Sequence, residues 1–335
     1  MVENLYVHFP FCRRKCSYCA LYSRTGVSQA DRDAYARRLA AEIDKLGQTG
    51  FVTLNTIYFG GGSPALCDLR PILDVLAVTA PVREDADGTV EFTVELHPLD
   101  VTEDLLKILR DGGVNRISMG VQSLDDAVLA DMGRGYTIDE AERAFALVMK
   151  HFDNAGIDLI VGYPGDEVWD LKRLESWGLK HCSVYSLQNE RGLKNVPDDD
   201  TVLDQLRHIA ICLRKMGLER YEISNYAVPG FECRHNLAVW RGEDYIGLGD
   251  GACGRIGLKR TKFGKEEIVS AEFDEKERRL FRLRTSDGLD ASNHPEWGQT
   301  LQNACKQGLL MQSGSIYRLT ERGMEVCDSI LAELV

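Results

Sequence analysis

Leu5-Tyr-Val-His-Phe9 runs directly into Pro10-Phe-Cys12-Arg-Arg-Lys-Cys16-Ser-Tyr-Cys19. Aromatic and branched side chains predict a strand over 5–9. The loop behind it then places three thiols within eight residues. Thiolates this close together can wrap a single metal centre. The spacing offers three ligands and no local fourth. A closed structural zinc site takes four, whereas an iron–sulfur cube held by three cysteines leaves one iron open. A Cys₃His zinc site using His8, or a chance grouping of core cysteines, stays as the alternative.

Outward from this stretch the order strand, loop, helix repeats. Tyr35, Leu39, Ile43 and Leu46 give a helical period over 28–46. Strands are expected at Thr56–Phe59, Glu91–Leu96, Arg116–Val121, Ile157–Val161, Ser183–Leu187 and Glu219–Ser224. Helices are expected around 68–79, from a Thr102 cap to the stop at Gly112-Gly113, from the capping box Thr137-Ile-Asp-Glu140, and over about 201–216. Alternation of this kind implies a parallel sheet with helices packed outside, and a barrel or a doubly wound sheet both satisfy it. From about residue 270 the rhythm changes. A charged helix (Phe273–Arg284), a helix near 297–307, a strand at Ile316–Leu319 and a last helix from Thr320 describe a small α+β unit whose order resembles a winged helix.

Of 335 residues, 44% are apolar and 27% charged, an ordinary globular balance that argues against disorder. Fifty-two acids against forty bases leave a net charge of −12. That balance disfavours a duplex nucleic-acid binder, which needs a basic face, and no nucleic-acid partner is expected. No apolar run reaches the length of a membrane span, which leaves only peripheral contact with a membrane open. The opening Met-Val-Glu-Asn-Leu-Tyr has no basic segment followed by an apolar one. A cytoplasmic location is therefore expected, where ten cysteines stay reduced and serve as ligands, nucleophiles or core residues. Cys67, Cys182, Cys212, Cys305 and Cys327 are scattered and read as core residues.

Cys12-x-x-x-Cys16-x-x-Cys19 resembles the signature of the radical S-adenosylmethionine (SAM) superfamily. Tyr6-Val-His-Phe-Pro-Phe-Cys12, Tyr58-Phe-Gly-Gly-Gly-Ser-Pro64, Glu95-Leu-His-Pro98, Ser118-Met-Gly-Val-Gln122 and Asp158-Leu-Ile-Val-Gly-Tyr-Pro164 resemble its oxygen-independent coproporphyrinogen III oxidase-like family. Tyr221-Glu-Ile-Ser-Asn-Tyr226 and Cys233-Arg-His-Asn236, with Trp240-Arg-Gly242, resemble the heme-chaperone branch of that family. The resemblance implies an α/β fold, a partial (β/α)6 TIM-like barrel over 1–226. A connecting segment over 227–270 and a C-terminal α+β domain over 271–335 would complete it. It also implies a 4Fe–4S cluster on Cys12, Cys16 and Cys19, and reductive cleavage of SAM to a 5′-deoxyadenosyl radical.

In barrels of this kind chemistry sits where strands end, and the unusual residues of this chain sit there too. Gly60, Gly61, Gly62 and Ser63 match the family's SAM contact, although three glycines alone would suit a bare tight turn. Glu95, between Val94 and Leu96, is costly unless paired; the family uses it to hold SAM, and a structural ion pair is the alternative. Gln122, Arg134 and Asp158 match positions that bind SAM or line the adjoining pocket. Their plain alternatives are a core amide, a solvated charge and a turn cap. Tyr6 and Tyr18 flank the thiols and would pack on SAM, or simply in the barrel. Arg13-Arg14-Lys15 is a basic patch that is either a solvated loop or a landing site for an acidic flavodoxin- or ferredoxin-type donor.

Two functions remain: an oxidase converting porphyrinogen propionates to vinyls, and a carrier passing heme to an apoprotein. Leu21 stands where oxidase members have a fourth cysteine, which favours the carrier. His235 and Cys233 are candidate heme ligands, and Arg234 and Arg241 candidate partners for propionates. Val239 and Cys253 depart from the family's usual aromatic and histidine, with Cys253 placed near the SAM pocket.

Overall fold

The computed structural model describes residues 2–49, 52–79, 90–166 and 171–334. The first strand, β1 (Val2–Phe9), turns Leu5, Val7 and Phe9 into an apolar core and leaves Asn4, Tyr6 and His8 on its other face. Helix α1 (Gln29–Gln48) starts where the Ser28 side chain accepts from the Asp31 amide. It buries Tyr35, Leu39 and Ile43, one helical stripe, against the outer face of the sheet. β2 (Val52–Gly61), α2 (Arg70–Thr79) and β3 (Glu91–Leu96) follow. Next comes α3 (Glu103–Asp111), capped by Thr102 and ended by Gly112. β4 (Arg116–Gln122) leads to α4 (Asp126–Met132) and α5 (Ile138–Val148), whose Thr137–Glu140 capping box is present. A 3₁₀ stretch (Leu171–Trp177) lies between β5 (Ala155–Val161) and β6 (His181–Ser186), and α6 (Asp199–Lys215) follows.

β1 to β6 pair in chain order, each parallel to the next. The inner side chains Tyr6, Tyr58, Glu95, Gln122, Asp158 and Tyr185, one from each strand in turn, line a single cavity. Six neighbouring strands can do so only if the sheet curls around that cavity. The curl stays open, because the far edge of β6 is taken by an antiparallel neighbour. The Glu219–Ser224 strand expected from the sequence is shorter and doubles back, as β7 (Glu219–Arg220) and β8 (Asn225–Ala227). Buried Glu222 makes that turn. Its carboxylate accepts from the Ser224 amide at 2.9 Å and from the Asn225 side chain.

The segment over 227–270 contributes α7 (Arg234–Trp240), β9 (Tyr245–Leu248), β10 (Cys253–Ile256), β11 (Lys259–Lys262) and β12 (Lys265–Ile268). β9 joins the outer edge of β1 in parallel, and β10–β12 continue as an antiparallel meander. At four residues each, these strands are too short to be read from periodicity. The last residues form α8 (Ala271–Arg282), β13 (Leu289–Asp290), α9 (Gly298–Lys306), the hairpin β14 (Leu310–Ser313) and β15 (Ile316–Leu319), α10 (Glu321–Glu325) and α11 (Cys327–Ala332). The expected final helix is therefore two, broken at Val326. Leu283, Leu289, Trp297 and Leu301 centre a second core there. Arg207–Glu325 and Arg214–Glu321 pairs tie it to α6. Cys67, Cys182 and Cys327 are buried as expected, while Cys212 and Cys305 are half-buried against the two cores.

Replacing Thr137 with Ala removes the hydroxyl that caps α5. A loss of about 1 kcal/mol is expected, read by denaturant titration, with the cavity residues undisturbed.

Candidate functional site

The cavity, about 980 Å³, opens at the carboxyl ends of β1–β6, where ligands bind in folds of this type. Cys12, Cys16 and Cys19 are half-buried on its wall. Their loop is tied down from several sides. The Cys12 amide donates to Arg24 O at 3.0 Å, and the Ser17 amide to Met132 O at 3.2 Å. Ser17 Oγ lies 2.8 Å from the Tyr163 hydroxyl, which donates to Asp131 at 2.6 Å. Burial pushes the Cys12 thiol up, and its neighbours Cys19 and Cys16 add to this. A cation stands beside the thiols: Arg134 Nη1 is 3.5 Å from Cys16 Sγ and 3.4 Å from the Tyr18 hydroxyl.

Among the described residues no three His, Cys, Asp or Glu side chains converge on one point as a single metal ion requires. His8 is no fourth ligand either. Its Nδ1 meets the Tyr6 hydroxyl at 2.9 Å and its Nε2 meets Tyr22 O at 2.9 Å. Three thiols on one cavity wall, with both nitrogens of the adjacent histidine engaged, fit a cluster held by three cysteines.

The glycine loop is built on the neighbouring chain. The Gly62 amide donates to Phe9 O and the Ser63 amide to Phe11 O, each at 2.7 Å. A Cβ at Gly61, where φ is +105°, would strike the His8 ring at 2.4 Å, and one at Gly62 would strike Phe11 O at 2.4 Å. The glycines thus let β2 close against β1. Gly61, Gly62 and Ser63 reach the cavity wall, while Gly60 lies behind it. Ser63 donates to buried Asp100, whose other oxygen holds Arg13 at 2.7 Å. Lys15 is likewise occupied, on Leu21 O at 2.5 Å and Ser23 Oγ at 2.7 Å. Of the basic patch, Arg14, exposed at the cavity rim, is the residue with no hydrogen-bond or ion-pair partner among the described residues.

Glu95 accepts from the Tyr58 hydroxyl at 2.8 Å and from the Gly61 amide at 3.0 Å. Burial, and then the charge of Asp158, push its carboxyl up to about 7. Asp158 accepts from Ser118 at 3.0 Å and is itself raised by burial. It is a strand residue on β5 and caps no turn. Gln122 has φ +76° at an irregularity where β4 pairs with β5. A strained, left-handed side-chain residue at a strand end is a mark of a functional wall. Arg134 is 8% exposed and donates to Gly120 O at 2.7 Å, so it is a buried cation. Burial alone would lower its proton affinity, but Tyr136, Tyr18 and Cys16 outweigh that and hold it charged. His97, not singled out from the sequence, also lines the cavity and is pushed down to about 3 by burial and then by Arg134 and Arg13.

The other end of the cavity is walled by α7 and the strand after it. His235, Asn236, Val239 and Trp240 face the cavity, as do Tyr245 and Cys253. His235 Nδ1 is 2.8 Å from Thr56 Oγ1, and burial pushes the ring down to about 4, helped by Arg116. It is neutral at physiological pH. Cys233 is brought elsewhere. It opens α7 with its sulfur fully buried behind the wall, 3.6 Å from Glu91, and burial pushes the thiol up to about 12. Arg241 is paired with Asp287 at 2.7 Å. Thr56 and Glu91 also escaped the sequence reading, although a carboxylate opening an apolar strand is itself a signal.

The radical SAM superfamily model matches residues 6–177. The chain is 30% identical to the heme chaperone HemW of Lactococcus lactis, across 99% of this chain and 97% of that protein. It is 32% identical to HemW of Mycobacterium tuberculosis, across 99% and 94%. Among solved structures it superposes on coproporphyrinogen III oxidase (HemN) from Escherichia coli, a radical SAM enzyme, with a TM-score of 0.82 and 21% identity, covering 99% and 90%.

A carboxyl raised from about 4.5 to about 7 takes up a proton on folding. Stability of the ligand-free protein should therefore fall as pH rises from about 4.5 to about 7. Glu95→Gln should make that slope shallower, by up to about 1.4 kcal/mol per pH unit, in urea titrations across the range.

Proposed function

The chain belongs to the radical SAM superfamily and, within it, to the HemW family, and we propose that it binds heme in its cavity and passes it to an acceptor apoprotein. Its resident cofactors are a 4Fe–4S cluster and SAM. In our reading Cys12, Cys16 and Cys19 hold the cluster. Gly61, Gly62, Ser63, Glu95, Gln122, Arg134 and Asp158, with Tyr6 and Tyr18, receive SAM. When bound, the cluster supplies one electron and an open iron position to SAM. Arg134 keeps a positive charge beside Cys16 on the cavity wall. Glu95 and Asp158 present polar oxygens on the cavity wall.

The observation that carries the heme reading is His235: a neutral imidazole on the cavity wall whose Nε2 has no hydrogen-bond partner among the described residues. Neutral imidazole is an effective iron ligand. Cys233, protonated and turned away, does not compete for this role. The electron donor docks, in this reading, on the thiol loop at Arg14. A cytoplasmic location accords with ten free thiols. No helix among the described residues is long and apolar enough to cross a membrane.

Anaerobic reconstitution with iron and sulfide, followed by parallel assays, tests the proposal. Stoichiometric hemin uptake by absorbance, without vinyl product from coproporphyrinogen III, is expected, and product formation with no hemin uptake would replace the carrier by an oxidase. Alanine at Cys12, Cys16 or Cys19 should abolish the brown cluster absorbance, and His235→Ala should abolish the hemin spectrum of the parent. Arg14→Glu should slow cluster reduction by an acidic flavodoxin about tenfold at low salt, the gap closing as salt rises.

A further inference from the structure

The floor of a parallel barrel is ordinarily packed with branched apolar side chains. Here three polar residues stand there in one row. Asn4 of β1 pairs in register with Thr56 of β2, and Thr56 pairs with Glu91 of β3. They are 2%, 2% and 6% exposed. Burying an amide, a hydroxyl and a carboxylate together is costly unless each is bonded. Glu91 and Thr56 bond to the first turn of α7, and Asn4 reaches it through Thr56.

Glu91 accepts from the backbone amides of Arg234, at 2.8 Å, and His235, at 3.0 Å. A carboxylate accepting from the first amides of a helix fixes where the helix begins. The side chain of His235 is fixed from the other two residues. The Asn4 amide nitrogen faces acceptors only, Glu243 Oε2 at 3.3 Å and Asp244 O at 3.1 Å. Its remaining atom is therefore the oxygen, which lies 2.8 Å from Thr56 Oγ1. The Thr56 hydroxyl has one proton and gives it to that oxygen. Facing His235 Nδ1 at 2.8 Å, the hydroxyl can then only accept. Nδ1 consequently carries the ring proton, and Nε2 keeps its lone pair. The rings of Tyr58 and Tyr6, at 5.2 and 6.3 Å between centroids, flank the imidazole.

We propose that Asn4, Thr56 and Glu91 form a positioning socket that selects the Nδ1–H tautomer of His235 and leaves Nε2 as its iron-binding atom. The inference rests on the reading of His235 as the heme ligand and adds what sets its tautomer and direction. A hydrogen bond behind a ligating histidine raises its basicity and holds its plane. The heme iron is cargo in this arrangement, so the socket tunes how firmly the carrier grips it.

The test uses hemin titration of the anaerobically reconstituted protein, with resonance Raman reading of the iron–histidine stretch in the reduced complex. Thr56→Val keeps the shape and removes the acceptor. It should weaken hemin binding about 10- to 100-fold and lower the stretching frequency, while Thr56→Ser restores both. If Thr56→Val fails to fold, Thr56→Ala against Thr56→Ser carries the same comparison. Parental affinity and frequency in the variant lacking the hydroxyl overturn the socket, as does a serine variant no better than it. Hemin affinity and frequency unchanged in His235→Ala overturn instead the ligand assignment beneath it.

Discussion

β1 is paired in parallel on both edges, to β2 from Asn4 through Phe9 and to β9 from Asn4 through Val7, and this double pairing aligns the two ends of the cavity. Side chains alternate along a strand. Leu5, Val7 and Phe9 anchor the outer core, so Asn4, Tyr6 and His8 must point inward. A slip of one residue would exchange three polar groups for three apolar ones, which the core forbids. From that register follow the floor at Asn4, the aromatic layer at Tyr6 and the entry to the thiol loop above His8. His235 is held beside the Asn4 row, about 13 Å of strand below His8. One cavity thus has a thiol end and an imidazole end on a common scaffold.

The electrostatics of the two ends differ. Around the thiols Arg134 is buried yet held as a cation, and Arg13 is paired with Asp100. Around α7 burial instead drives one imidazole and one thiol neutral. Burial lowers His235 and raises Cys233. Glu95 stands between these regimes, raised to about 7 by burial and by Asp158. In the proposed function a charged sulfonium and a flat, largely apolar ring share the site, and such a division suits both. Low dielectric sharpens both effects. The strained backbone of Gln122 lies at the shared wall, where β4 departs from regular pairing.

Much of this was legible in the chain. The alternation of strand and helix from β1 to α6 follows from periodicity and caps, because Ser28, Thr102 and the Thr137–Glu140 box act within one turn of their own helices. The doubling back at Glu222 was not legible, since a carboxylate turning the chain by accepting from residues two and three ahead leaves no periodic trace. Nor were β9–β12, strands of four residues each, the first of which owes its place to the distant edge of β1. The basic loop illustrates the same limit. Three consecutive cations looked equivalent, yet a buried aspartate and a backbone carbonyl claim Arg13 and Lys15.

By itself the amino-acid order determined what depends on neighbours along the chain: the three thiols of one loop, the glycine turn, the helix caps and the sequential parallel strands. Only the tertiary structure decided what depends on groups far apart. It set His8 against Tyr6 and Tyr22 instead of against the thiols, turned Cys233 away from the cavity, and joined Thr56, backed by Asn4, to an imidazole 179 residues away whose backbone amide Glu91 holds. The physical reason is that a hydrogen bond's donor, acceptor and direction are fixed by three-dimensional placement, whereas propensity and spacing specify only the residues that are available.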